Sequence, residues 1–209
     1  RRDTPDPPRG RIERDARTGE PTGTLREEAV ELVRRHAPES TGTEHRDGLK
    51  RALAELNRFG IVSFQEASAG RLVLDTYLAA EKEGWLTARV RAALRVDPAA
   101  GETQVGRLIE SRSACKGRRV SCEAAKIFVD GVIEARTAAL LEPYVTPKGM
   151  QSPSAPTGIA NFDPAALNTI VRRLDKERFQ IHMHAIGDRA NREVLNVYDK
   201  AGRPFDYFA

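Results

Sequence analysis

Apolar and polar positions along this chain switch between two periods. From about Thr43, Leu49, Ala52, Leu53 and Leu56 recur at helical spacing until Phe59-Gly60 interrupts them. Ile61-Val62-Ser63-Phe64-Gln65-Glu66 then reads as a strand. Leu72, Val73, Tyr77 and Leu78 mark a helix from about Gly70 to Glu83, stopped by Gly84. Between Thr87 and Val96, Ala88, Val90 and Ala92 alternate with Arg89 and Arg91, the period of a half-buried strand, and Asp97-Pro98 ends it. A helix from about Glu102 to Cys115 turns Val105, Leu108 and Ile109 inward, and a basic loop leads to a strand at Ala124–Asp130. Asp163-Pro164 supplies an N-cap followed by Pro at the first helical position, and Leu167, Ile170, Val171 and Leu174 form that helix's stripe. A last strand begins at Gln180. After a turn at Gly187, with Asp188 as N-cap, a helix runs to Gly202.

Strand followed by helix thus recurs four times, which argues for parallel strands joined by right-handed helical crossovers. A closed barrel of eight such units needs about 250 residues, so a chain of 209 residues with four units is either an open sheet or part of a barrel. The N-terminal stretch breaks the pattern. Residues 1–23 contain Pro5, Pro7, Pro8, Gly10, Gly19, Pro21 and Gly23, too many breakers for a regular element, and predict an extended arm. Thr24-Leu25-Arg26-Glu27 has the spacing of a capping box and predicts a short helix to about Arg35, closed by Pro38. The expected organisation is an arm with a short helix over 1–42 and an α/β domain over 43–209. Val132 to Phe162 has no clear period, and a loop of that length is expected to be a lid or substrate loop.

Composition narrows the function. With 40% hydrophobic and 31% charged residues the chain is an ordinary globular one. Its net charge of +4 is dispersed, and Arg34-Arg35, Arg118-Arg119 and Arg172-Arg173 form no basic stripe with interleaved aromatics, so nucleic acid is not an expected partner. No run approaches the roughly 20 apolar residues of a membrane span. The N-terminus has no apolar signal core, so a cytoplasmic location is expected. Cys115 and Cys122 match neither a redox nor a zinc-ribbon spacing and are expected to be free thiols.

Candidate chemistry sits on two strands. In Gln180-Ile181-His182-Met183-His184, strand alternation points both imidazoles to one face and the apolar residues to the other. His184 lies at the C-terminal end, where α/β proteins place ligands and catalytic groups. On the other strand Lys126, Phe128 and Asp130 share a face. Lys126 either snorkels to water or is buried, and burial would favour the neutral amine. A neutral amine can add carbon dioxide to become a carbamate, an oxygen ligand able to bridge two metals. Asp130-Gly131 reads as a turn, with the carboxylate facing the rim where a site is expected.

Lys126-Ile127-Phe128-Val129-Asp130-Gly131, then Arg136-Thr137-Ala138-Ala139-Leu140-Leu141-Glu142-Pro143-Tyr144, then His184-Ala185-Ile186-Gly187-Asp188-Arg189-Ala190 resemble the YtcJ-like branch of the amidohydrolase superfamily, amidohydrolase family 3, which includes N-substituted formamide deformylase. Asp6-Pro7, Gly10-Arg11-Ile12, Arg14-Asp15 and Pro21-Thr22-Gly23-Thr24-Leu25 resemble the segment such proteins carry between their first and second barrel strands. The resemblance implies part of a (β/α)8 TIM barrel whose first and last strands are missing from the chain, and a metal-dependent hydrolase of amide-type carbon–nitrogen bonds. By position, Lys126 looks like the fourth-strand lysine that is carboxylated in dinuclear members, and His184 like the fifth-strand metal ligand. His182, Asp130 and Asp188 would stand in the second shell or contact substrate. Zinc, as one or two ions, is the expected metal, with manganese or iron as alternatives. The family's first-strand His-x-His, sixth-strand His and acid/base Asp have no counterpart here, so these residues alone are expected to bind metal weakly and to be inactive. The other reading is a non-catalytic α/β binding or assembly module derived from such an enzyme. An isolated half barrel exposes strand edges, which favours homo-oligomers.

Overall fold

The alternation of strand and helix expected from residue 43 onward is present in the computed structural model, which describes residues 1–115, 117–145 and 155–201. After a first short helix α1 (Glu31–Arg34), the order is α2 (Gly42–Arg58), β3 (Ser63–Ala69), α3 (Arg71–Lys82), β4 (Arg89–Arg95), α4 (Val105–Ala114), β5 (Val120–Phe128), α5 (Pro164–Lys176), β6 (Gln180–His184) and α6 (Asp188–Ala201). The strands lie in sequence order, β3-β4-β5-β6, and the β3–β4 and β4–β5 pairs are parallel. One strand face is apolar and packed. Val90, Ala92 and Leu94 of β4 and Ile127 of β5 are buried, as are Leu49 and Leu53 of α2, Leu74, Tyr77 and Ala80 of α3, and the α5 stripe Leu167, Ile170, Val171 and Leu174. Each such Leu, Ile or Val contributes about 1.5–3 kcal/mol of transfer free energy.

The other strand face carries Gln65 on β3, Arg91 on β4 and His182 on β6. Gln65 and His182 lie three strand spacings apart in sheet order, about 14 Å along a flat sheet. Their side chains nonetheless meet, Nε2 to Nδ1, at 3.3 Å. Only a sheet curled toward that face allows this contact. Parallel strands, helices on the convex face and a concave polar face make the architecture α/β, a partial (β/α)8 barrel.

Three sequence expectations are corrected. The N-terminal arm is not irregular, because β1 (Gly10–Arg14) and β2 (Pro21–Glu27) form an antiparallel hairpin with Gly10 opposite Glu27 and Ile12 opposite Leu25. Thr24–Glu27 is accordingly strand and not a capping box. Glu27 sits at φ 49 ahead of a 3-10 turn (Glu28–Val30) that has no side-chain cap. The reciprocal box occurs instead at Thr41 and Glu44, where Glu44 N donates to Thr41 Oγ1 at 3.2 Å and Thr41 N to Glu44 Oε2 at 2.7 Å. The same Thr-x-x-Glu spacing succeeds there because a long amphipathic helix follows it. Finally, Cys115 and Cys122 are joined in a disulfide. The end of α4 and the start of β5 bring their Cα atoms to 5.8 Å, inside the bonding range, which seven residues of spacing could not reveal.

Contacts divide the chain into two units. A sheet unit comprises Glu39–Ile127 and Ala165–Met183. A loop unit comprises Arg1–Pro38, Phe128–Pro164 and the residues from His184 on. The expected lid over Val132–Phe162 lies partly outside the described residues. Its described ends are turns, bends and irregular backbone. Among the described residues no helix is long and apolar enough to cross a membrane.

Candidate functional site

In the sheet unit, Lys126 does not snorkel. Two residues from the end of β5 it is 6% exposed, and desolvation holds its amine below the ordinary lysine range. Its Nζ lies 3.3 Å from Nε2 of His182, whose Nδ1 faces Gln65. A neutral imidazole carries one proton, so one ring nitrogen donates and the other accepts. The Gln65 amide nitrogen can only donate, so Nδ1 accepts and the proton of a neutral ring sits on Nε2, facing a Lys126 nitrogen that can accept it only as the neutral amine. Gln65 is thus a participant that no sequence motif announced. A single Gln at an inward strand position was the only signal.

In the loop unit, His184 has a different partner set. Its Nε2 is 2.9 Å from the Gly131 carbonyl, which can only accept, so Nε2 carries a proton and the neutral form of the ring has its lone pair on Nδ1. The ring also tilts against Phe128, centroid to centroid 5.5 Å. Asp130 Oδ1 stands 3.9 Å from Nε2.

Asp130 is more than a turn residue. At 2% exposure its carboxylate accepts three backbone N–H groups, from Ala139 at 2.9 Å, Ile186 at 3.0 Å and Gly187 at 2.8 Å. Three donors satisfy a buried charge that would otherwise be costly. The Ala139 carbonyl in turn accepts from Arg189 N at 3.1 Å and Ala190 N at 3.3 Å, closing the first turn of α6. Glycine is required at two of these crossings. A Cβ on Gly187 would stand 1.9 Å from the Ala139 carbonyl oxygen, and one on Gly131 2.0 Å from Thr137 Oγ1. Thr137, 1% exposed, donates to Glu27 Oε1 at 2.7 Å and receives Val132 N at 3.0 Å. Asp188 is the first residue of α6 and not a residue ahead of it. Its Oδ1 accepts from Leu141 N and Arg189 N, both at 2.8 Å. Its acid also favours the positive end of the helix.

The five residues singled out from sequence therefore fall into two constellations: Lys126 with His182, and His184 with Asp130, with Asp188 tying the Leu141 loop to α6. Among the described residues, no group of three or more His, Cys, Asp or Glu side chains could hold a metal ion. The donors present still suit one in part. His184 offers Nδ1 because Nε2 is committed to Gly131, and the buried Lys126 amine is biased toward the neutral form that can become an oxygen donor.

Residues 1–208 match the family model described as "Amidohydrolase family". The chain is 28% identical over 204 residues to "Putative amidohydrolase YtcJ" of Bacillus subtilis (strain 168), covering 95% of this chain and 36% of that protein. It is 29% identical over 212 residues to "Protein LONG AFTER FAR-RED 3" of Arabidopsis thaliana, covering 94% of this chain and 34% of the relative. Among solved structures it is similar to an uncharacterized metal-dependent hydrolase from Pyrococcus horikoshii OT3, with a TM-score of 0.65 and 26% identity over 88% of this chain and 36% of that one. The chain thus spans about a third of the length of the curated relatives it matches.

Proposed function

The chain belongs to the amidohydrolase family, and from that premise we propose that it forms the central part of a metal-dependent hydrolase cleaving non-peptide carbon–nitrogen bonds, in N-acyl or N-formyl amines, with residues 1–42 inserted between barrel strands. Lys126 and His184 would hold a divalent metal, zinc by the preference of imidazole and oxygen donors. The metal, when bound, supplies an acidified water and polarises the substrate carbonyl. The remaining ligands and the acid/base would come from polypeptide outside these 209 residues, a view supported by the relatives' greater length.

The residues of this chain have distinct tasks in that scheme. His184 presents Nδ1, its ring fixed by the proton donated from Nε2 to Gly131 and by Phe128. Asp130 holds the backbone of Ala139, Ile186 and Gly187 around it. At Lys126, amine nitrogen and carbon dioxide would form an N–C bond with loss of one proton, giving a carbamate, and the Nε2–H of His182 beside it would donate a hydrogen bond to the new group. The observation that carries this reading is the buried Lys126 amine, whose charge is disfavoured where the family places a metal-bridging lysine. The substrate is a small amide, and the site needs neither nucleic acid nor membrane.

Metal analysis of the purified full-length protein, run beside a screen of N-formyl and N-acyl amines, tests this. We expect about one or two divalent ions per chain, lost together with turnover in His184→Ala. A metal-free, inactive protein would point instead to a non-catalytic module derived from such an enzyme.

A further inference from the structure

The strand that carries Lys126 does not keep one alternation along its length. In the β4–β5 ladder Arg91 pairs with Ser121 but Ala93 with Ala124, so Cys122 and Glu123 together stand opposite the single residue Ala92. This is a bulge, one extra residue on β5, and it reverses the parity of the strand. Val120 pairs with the buried Val90 and shares its helix-side face, and an unbroken alternation would carry Ala124 and Lys126 to that face too. With the extra residue in place, Ala125 and Ile127 take the helix side, and Lys126 falls in register with Arg95 on the inner face. Bulges beside sites commonly re-aim a side chain in this way.

The bulge is held by a covalent bond. Cys122, the first of its two residues, is fully buried and joined by the disulfide to Cys115 at the C-cap of α4. The strand on either side is anchored without sulfur. Upstream, Val90 N donates to the Arg119 carbonyl at 2.7 Å, and Arg119 N donates to Glu81 Oε1 of α3 at 2.5 Å. Downstream, the ladder resumes at Ala93 and Ala124. Between these anchors the disulfide ties the extra residue to a helix. Of its two sulfurs, that of the half-buried Cys115 is the one a reagent meets.

We propose that the Cys115–Cys122 pair is a redox-sensitive positioning device for Lys126: closed, it fixes the β5 bulge and with it the inward direction of the lysine, and open, it releases both. Opening takes an external dithiol. One thiolate of the dithiol attacks Cys115 Sγ, the S–S bond breaks with its electron pair going to Cys122 Sγ, and that sulfur takes up a proton; the second thiol then displaces Cys115, and the reagent leaves as its own disulfide. Two electrons and two protons pass to the protein. The Cys115 thiol so formed has the Ser111 carbonyl as acceptor, 3.4 Å away. The consequence for metal binding rests on the reading of Lys126 as a ligand, whereas the consequence for its position does not.

The full-length protein is compared oxidised, reduced by dithiothreitol, and as Cys115→Ser, which leaves Cys122 in its buried place and cannot close the bond. Amide exchange is followed along β5, together with the rate at which an acetylating reagent modifies Lys126, the exposed Lys50 serving as internal standard. Reduction and Cys115→Ser should each speed exchange at Ala124–Lys126 and acetylation of Lys126 by about 10-fold or more, with Lys50 and the α5 amides unchanged. Reoxidation should restore the slow rates in wild type alone. Faster exchange confined to residues 115–122, with Lys126 as slow as before, would make the bond a loop staple and overturn the proposal. Uniform acceleration across the sheet unit would overturn it too, as would two thiols that stay free in oxidised dithiothreitol. Metal content of the same samples keeps the two levels distinct: faster labelling of Lys126 at unchanged metal content would sink the lysine as a ligand and leave the device standing.

Discussion

The two units hold their candidate residues by different means. In the sheet unit, Lys126 and His182 stand on strands whose other face is apolar, buried at Ala125 and Ile127 of β5 and half-buried at Ile181 and Met183 of β6, and their positions follow from the alternation of those strands. In the loop unit, His184 is held by backbone groups: a carbonyl from Gly131 fixes its tautomer, and Asp130 gathers three N–H groups from two further segments. Side-chain burial is distributed, so each residue in it carries a share. The backbone knot converges on one carboxylate, so that residue carries nearly all of it.

The largest expected effect follows from that contrast. Asp130→Ala leaves the amides of Ala139, Ile186 and Gly187 without their acceptor inside a buried site, and about 3–5 kcal/mol of stability should be lost. Leu174→Ala removes a fully buried α5 side chain and should cost about 2–4 kcal/mol through the cavity left behind. Urea unfolding measures both totals. Amide hydrogen exchange separates them: Asp130→Ala should deprotect Ala139 and Gly187 selectively, whereas Leu174→Ala should loosen the sheet unit. Equal protection of Ala139 in wild type and Asp130→Ala would break the comparison.

The same contrast explains how much could be read from the sequence. Helices α2 to α6 and the strands between them were legible, because burying one face imposes a period that Leu49–Leu53 or Leu167–Leu174 display directly. What was not legible depends on partners distant in sequence. Leu25–Glu27 pairs with Gly10–Ile12 across a hairpin, and no local pattern reports a ladder. The disulfide needs two Cα atoms brought together by α4 and β5. Asp130 looked like a turn because its three donors lie nine to fifty-seven residues away. Gln65 required the curl of the sheet to reach His182.

A smaller test addresses the two Thr-x-x-Glu spacings. Thr41→Ala removes the cap of α2 and should cost about 1 kcal/mol. Thr24→Ala, in an exposed strand position, should stay within about 0.5 kcal/mol of wild type. Chemical denaturation of both variants reads the difference, and equal losses would return Thr24 to a capping role.

The smallest effect is a slope. Burial lowers the pKa of the Lys126 amine in the folded protein relative to the unfolded chain. Between the lowered folded value and the ordinary lysine value, the unfolded chain binds more proton than the native one, so stability rises with pH across that window. Below the window the buried ammonium carries its full penalty, and above it both states are neutral and the penalty is gone. Lys126→Met keeps the length and apolar stem of the side chain but has no proton to bind, so its stability relative to wild type should be greatest at the low-pH side and shrink toward the ordinary lysine pKa. Urea midpoints of the two proteins, taken in carbon dioxide-free buffer so that no carbamate forms, would show the converging pair. Parallel curves would mean that Lys126 is solvated as an ordinary surface lysine. The case for it as a latent oxygen ligand would then lose its physical basis, while the Asp130 knot, which does not depend on that proton, would stand unchanged.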